Sequence, residues 1–169
     1  SVSADIFYNQ YSDYIGVNAI VPSTNSAAAI AVMLNTGNVE SYGFEMDATW
    51  KLTPKWQVYG NVGLLHARTT DMSGFIAVTG FALPTDRILY TPDWTFFVGT
   101  DYKVPLGNGV LKLNANLAGK GARPGFSYSQ VGPVFLKPYY LTNASVKYEI
   151  GNFELGLLDR KSTRLNSSH

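Results

Sequence analysis

Hydrophobic and polar positions alternate with a period of two through much of the chain. From Tyr42 to Leu52 every second residue is large or apolar (Tyr42, Phe44, Met46, Ala48, Trp50, Leu52), and the residues between are small, polar or charged (Gly43, Glu45, Asp47, Thr49, Lys51). Strict alternation predicts a strand with one apolar and one polar face. Thr53-Pro54-Lys55 then reverses the chain, the fixed φ of Pro54 suiting the second position of a type I turn. The return strand sets Trp56, Val58, Val62 and Leu64 against Gln57, Tyr59 and Asn61, so Trp50 and Trp56 flank the turn on the apolar face.

The same pattern recurs on both sides. Ser3 to Tyr11, Trp94 to Val104, Val110 to Lys120 and Tyr139 to Ile150 alternate, and Phe153 to Leu158 begins a last strand. Asn108-Gly109 and Gly151-Asn152 are hairpin signals. The expected fold is all-β, an antiparallel up-and-down meander of about seven strands. Short turns near 54, 107 and 151 alternate with long connections over 12–37, 69–90 and 121–138. All short turns therefore fall at one end of the sheet and all long loops at the other, as in outer-membrane barrels with short periplasmic turns.

Aromatic residues on the apolar face gather beside the short turns (Trp50, Trp56, Tyr102, Tyr148, Phe153), where a membrane-interface girdle would lie. That face carries no charge from Tyr42 through Ile150; a Lys or Arg at mid-depth in lipid costs roughly 2–4 kcal/mol. The other face carries Glu45, Asp47, Lys51, Asp101, Lys103, Lys112, Lys147 and Glu149, expected to face an aqueous lumen. A β-sandwich or soluble ligand-binding barrel would also keep charge off its buried face. Periodicity alone leaves both architectures open.

Composition narrows the chemistry. Only 15% of the 169 residues are charged and 14% are aromatic, against about a quarter charged in soluble domains. Without cysteine there is neither a disulfide nor a thiolate metal site. The apolar run Ala27 to Leu34 is too short for a spanning helix, which needs about 20 residues. The chain opens on neither methionine nor a signal peptide. Residues 159–169, DRKSTRLNSSH, resemble residue for residue one translated frame of a common sequencing-library adapter and are set aside as an artefactual tail. The tail holds three of the 13 Lys+Arg and one of the 12 Asp+Glu, leaving 10 against 11, a net charge of −1 in place of +1. The basic balance is thus no sign of a nucleic-acid partner. With the tail removed, the last strand is expected to end at Leu158.

Motifs in order along the chain carry a family resemblance. Asn35 to Gly37, Tyr42-Gly43-Phe44-Glu45 and the turn bounded by Trp50 and Trp56 resemble the late hairpin of TonB-dependent outer-membrane receptors. TPDWTFFVGTDYKVPLG (91–107) is similar to that family's following Pro-x-Trp strand, and PYYLTNASVKYEIGNFELGL (138–157) to its penultimate hairpin. The resemblance covers nearly all of residues 3–158. It implies an incomplete, C-terminal segment of a transmembrane β-barrel, without the plug domain, the TonB-contacting segment or the earlier strands. It also implies a bacterial outer-membrane location and active uptake of a scarce solute such as an iron-siderophore complex, a cobalamin or an oligosaccharide. Partners would be outer-membrane lipid, the solute, and the plug and TonB through the rest of the parent chain. A passive porin and a soluble ligand-binding barrel are the alternatives.

No catalytic constellation is expected. His66 is the single histidine outside the tail, so a zinc site or a Ser/His/Asp triad would need partners from elsewhere, and an interfacial polar residue is the reading adopted. Glu45 and Asp47 read as solvated lumen charges. No phosphate-cradling loop or basic-aromatic nucleic-acid patch occurs, and neither cofactor, metal nor enzymatic activity is expected. Solute contacts are assigned to the long loops, where Arg123, Phe126, Tyr128, Lys137 and Tyr139 combine positive charge with aromatic surface suited to an anionic or catecholate ligand.

Overall fold

A computed structural model of the chain describes residues 1–20, 30–80, 82–83, 85–125 and 134–164. Seven strands form one antiparallel sheet: β1 (Val2–Ile20), β2 (Ile30–Thr53), β3 (Trp56–Asp71), β4 (Trp94–Leu106), β5 (Gly109–Lys120), β8 (Tyr139–Ile150) and β9 (Phe153–Arg164). Their spatial order is their chain order, β1-β2-β3-β4-β5-β8-β9. Two short strands, β6 (Arg123–Pro124) and β7 (Phe135–Leu136), pair between β5 and β8, and one helix, α1 (Ser73–Thr79), follows β3. β1 and β9 do not pair with each other, so the sheet is open.

Register keeps the two faces distinct. Phe44, Met46 and Trp50 pair with Leu64, Val62 and Val58, while Glu45, Asp47 and Lys51 pair with Gly63, Asn61 and Gln57. A one-residue slip would invert both sets. Among the described residues only Val39, Ala67 and Phe75 are buried hydrophobics, and Trp50 remains 71% exposed, so no closed soluble core encloses the apolar face. Hairpin geometry holds the register. At Gly107-Asn108 and Gly151-Asn152 φ is positive only at the first central residue, the pattern of a II′ turn. The turn after β4 therefore centres on Gly107 and Asn108, one residue before the Asn-Gly pair that signals it.

Aromatic rings lying across neighbouring glycines fill gaps on both faces. A Cβ on Gly99 would stand 2.8 Å from the Tyr59 ring, and one on Gly119 would stand within van der Waals overlap of Phe96. Such aromatic cover restores the packing that a strand glycine lacks.

The expected connections are shorter than the alternation suggests. β1 continues to Ile20 and β2 begins at Ile30, so most of 12–37 is strand. The small, uncharged residues there give little polar contrast, yet Ile15, Val17, Ile30 and Val32 favour extended backbone. The ladder crosses irregularities near Tyr11, Tyr14 and Gly37; Gly37 has φ 110°, and a Cβ there would collide with the Asp71 carbonyl. Likewise 69–90 contains the end of β3 and α1. The last strand does not stop at Leu158, because Asp159 to Arg164 continue the ladder against Ala144 to Tyr139. Backbone pairing is indifferent to side-chain polarity, so the ladder runs on where the apolar alternation ends.

Candidate functional site

Three sets of side chains are built on this sheet. At the short-turn end of the apolar face, Trp56 and Tyr102 are cross-strand partners in an edge-on contact, with centroids 6.2 Å apart at 84°. The Trp56 indole N–H donates to the Thr100 hydroxyl at 2.8 Å, and the Tyr148 hydroxyl to the Leu106 carbonyl at 2.9 Å. Trp50 and Phe153 complete the row, both largely exposed. Sequence reasoning missed a second row on the same face, all but Phe96 eight to ten residues along from the first. Tyr42 stacks on His66 at 4.6 Å, and Trp94, Phe96 and Tyr140 lie about 6 Å from one another. At ~3.3 Å per residue the rows stand ~26–33 Å apart along the strands, or ~20–25 Å across a sheet tilted by about 40°, close to the ~25 Å apolar band of membrane barrels. The signal was present in the alternation itself, since all five residues carry the apolar parity.

The polar face holds every expected lumen charge. Asn114 Nδ2 donates to Asp101 Oδ1 at 2.8 Å and to the Tyr59 hydroxyl at 3.1 Å. The chain extends through Asn116, which donates to Asn114 Oδ1 at 3.3 Å, and Asn143, which donates to Asn116 Oδ1 at 2.7 Å. Lys112 is ion-paired with Glu149, and Lys147 with Glu154 at 2.8 Å. Glu45 and Asp47 are exposed, without an ion pair among the described residues. Lys51 and Lys103 lie nearer the short turns, beside a cavity of about 690 Å³.

At the loop end the polar face is covered. Val39, Ser41, Ala67 and Thr69, opposite in parity to Tyr42 and His66, are buried, as is Phe75 of α1 at 1% exposure, and α1 packs against β2. The Asp71 carboxylate accepts the Ser73 N–H at 2.9 Å, and this contact holds its pKa below the ordinary carboxylate value. Gly80 ends the helix in the left-handed conformation, its N–H bonded to the Ile76 carbonyl. Asp93 joins Arg87 at 2.6 Å and Arg68 at 3.4 Å, and Arg87 also donates to the Ala122 carbonyl at 3.2 Å.

Of the expected solute contacts, Arg123 lies over the Tyr139 ring at 5.3 Å, and its Nη1 is buried without a hydrogen-bond partner among the described residues. Lys137 is exposed nearby in sequence, before β8. Phe126 and Tyr128 lie outside the described residues. Arg87, over Phe135 at 5.6 Å, joins this region without having been singled out; no periodic pattern marks it.

An open up-and-down sheet with one apolar face between two aromatic rows and one polar face is the wall of a β-barrel. The family model described as TonB dependent receptor-like, beta-barrel matches residues 1–165, and the chain belongs to that family. Its members are TonB-dependent transporters of the bacterial outer membrane. Among solved structures the chain is similar to the ferric yersiniabactin uptake receptor FyuA of Yersinia pestis, with TM-score 0.57 and 14% identity over 95% of this chain. The chain spans 26% of the length of that receptor. No curated protein sequence matches it.

Proposed function

We propose that the chain forms part of the barrel wall of a receptor that imports a scarce solute, such as an iron-siderophore complex, a cobalamin or an oligosaccharide, using energy delivered through TonB. The observation that carries this reading is a face that bears no charge between its two aromatic rows through Leu158, backed by a polar face and by the family match. In this reading Trp50, Trp56, Tyr102, Tyr148 and Phe153 sit at the periplasmic membrane interface, and Tyr42, His66, Trp94, Phe96 and Tyr140 at the outer one. The charged residues from Glu45 to Glu149 line the lumen around a plug supplied by the rest of the receptor.

The loop end is where solute is met. The Arg123 guanidinium has an N–H group without a partner among the described residues and an aromatic neighbour in Tyr139, which supports an anionic or catecholate group as its target. Phe126, Tyr128 and Lys137 belong to the same proposed contact set. The experiment is uptake of ferric siderophores by cells carrying the complete receptor. Uptake should vanish on deletion of tonB, and the Arg123→Ala, Tyr139→Ala pair should weaken solute binding at least tenfold, the loss of about one charge-assisted hydrogen bond of ~1.5–3 kcal/mol. TonB-independent passage would make the protein a passive pore, and unchanged binding would remove these residues from the solute site.

Residues 159–169 are proposed to be translated adapter, with native barrel sequence ending at Leu158. Register supports this. Asp159 pairs with Ala144 and Lys161 with Thr142, in line with Ala115 and Leu117 at mid-depth of the apolar face. They are the first charges between the aromatic rows, where a Lys costs roughly 2–4 kcal/mol. Sequencing the locus from unfragmented DNA should diverge from these codons after Leu158; uninterrupted genomic codons through His169 would end the proposal.

A further inference from the structure

Arg123 is placed from outside its own strand. β6 and β7 share two pairs, Arg123 with Leu136 and Pro124 with Phe135, and a two-stranded ladder that short does not hold itself. The carbonyls on either side of Arg123 are both taken by the segment 85–93, which precedes β4. Arg87 Nη2 donates to the Ala122 carbonyl at 3.2 Å, and the Tyr90 N–H donates to the Pro124 carbonyl at 2.7 Å. The Arg87 guanidinium also lies over the Phe135 ring at 5.6 Å, so one side chain touches the backbone before β6 and a ring of β7. Tyr90 makes its contact at φ 60°, a left-handed conformation that a residue with a Cβ keeps only where its surroundings hold it there.

The segment 85–93 is in turn tied to the sheet. The Asp86 carbonyl accepts the Thr69 N–H at 2.7 Å and the Asp93 carbonyl the Leu65 N–H at 2.9 Å, while the Asp93 carboxylate joins Arg68 of β3 to Arg87 at 3.4 and 2.6 Å. Contacts therefore run from β3 through Asp93 and Arg87 to the backbone that flanks Arg123, and one side chain joins the connection after β3 to the connection after β5. The two arginines differ in charge balance. Arg87 is met by Asp93, whereas among the described residues no carboxylate pairs with Arg123. A guanidinium already engaged by a carboxylate and a carbonyl has less to offer an anion than one whose charge is unmet. We infer that Arg87, anchored by Asp93, is a positioning residue for the solute contact at Arg123: it fixes where that guanidinium is presented and does not itself meet the solute. This deepens the reading of Arg123 as a solute contact and rests on it.

Two measurements on the complete receptor in outer-membrane vesicles test it. One is the rate at which phenylglyoxal, which reacts with guanidinium groups, modifies Arg123, read by mass spectrometry. The other is affinity for ferric tris-catecholate, an anionic probe of defined charge. Arg87→Ala and Asp93→Asn should each speed modification of Arg123 several-fold, and Arg87→Ala should weaken probe binding about tenfold, the worth of roughly one charge-assisted hydrogen bond. In an Arg123→Ala background the same Arg87→Ala change should cost no further affinity, a non-additivity that general loosening of the barrel would not produce. Unchanged modification of Arg123 overturns the inference, and so do additive losses, which would put Arg87 on the solute itself. If Arg87→Ala does not insert, Asp93→Asn, which keeps the side-chain size and removes the charge, decides in its place. A probe that does not bind, or binding that Arg123→Ala leaves unchanged, removes the solute role of Arg123 and this inference with it, whereas the two outcomes before remove only the positioning role of Arg87.

Discussion

The two ends of this sheet are built on opposite principles. At the short-turn end both faces are open: Trp50 is 71% exposed on one side and the lysines line an open cavity on the other. At the loop end the polar face is packed over, with Phe75 1% exposed and Val39 and Thr69 buried beneath the chain that follows β3. The turn end is held by register and hairpin geometry, and its side chains are left free for lipid, water and partners. The loop end carries its own small core and ion pairs, Asp93 with Arg68 and Arg87. A barrel wall can thus be shaped twice, as a wall and as a mouth.

The largest expected effect removes the small core. Phe75→Ala takes out the one large side chain of α1 that is wholly buried, and such truncations cost about 3–5 kcal/mol where a cavity remains. Because α1 is a single short element, the loss should appear as release of residues 72–93 rather than unfolding of the sheet. Limited proteolysis of the receptor on intact cells should cut within that span many times faster, with heat-modifiable migration of the barrel unchanged. If the whole barrel loosens together, the two ends are one cooperative unit and the comparison fails.

Between the ends lies a test of the faces themselves. Val62→Lys puts an ammonium group midway between the aromatic rows on the apolar face, at an expected cost of roughly 2–4 kcal/mol, whereas Asn61→Lys, one residue away, should stay within about 0.5 kcal/mol. Folding titrations into lipid vesicles would measure both. Equal penalties would mean that the apolar face does not meet lipid.

This contrast also explains what could be read from the chain. The wall was legible because alternation is a local signal: Met46 and Val62, Glu45 and Gly63 fall on the faces their parity assigns. The mouth was not. SGFIAVT, the sequence of α1, has no polar counter-stripe; its boundary signals, the Asp71 carboxylate accepting the Ser73 N–H and the αL residue Gly80, are local and equally common in loops, while the burial of Phe75 comes from the packed fold in which α1 lies against β2. The strand segments 14–20 and 30–35 read as loop because they are uncharged and rich in small residues, so their extended backbone left no polar contrast to detect. The lysine row was visible residue by residue but not as a row, since the pairing of Lys103 with Lys112 and of Lys112 with Lys147 is fixed by two separate hairpin registers.

The smallest expected effect sharpens the turn end. Tyr148 spans the β4–β5 hairpin: its ring lies over Gly109, where a Cβ would stand 2.7 Å from it, and its hydroxyl donates to the Leu106 carbonyl at 2.9 Å. Tyr148→Phe keeps the ring over the glycine and deletes only the hydrogen bond, so it should cost about 0.5–1.5 kcal/mol in a lipid-folding titration. Tyr148→Ala also uncovers Gly109 and should cost more. If the two variants were equal, the ring would contribute nothing and the tyrosine would be an anchor for one carbonyl. If Tyr148→Phe were silent and Tyr148→Ala costly, ring packing alone would hold the hairpin, and the openness of the turn end would rest on aromatic cover of a glycine rather than on polar contacts.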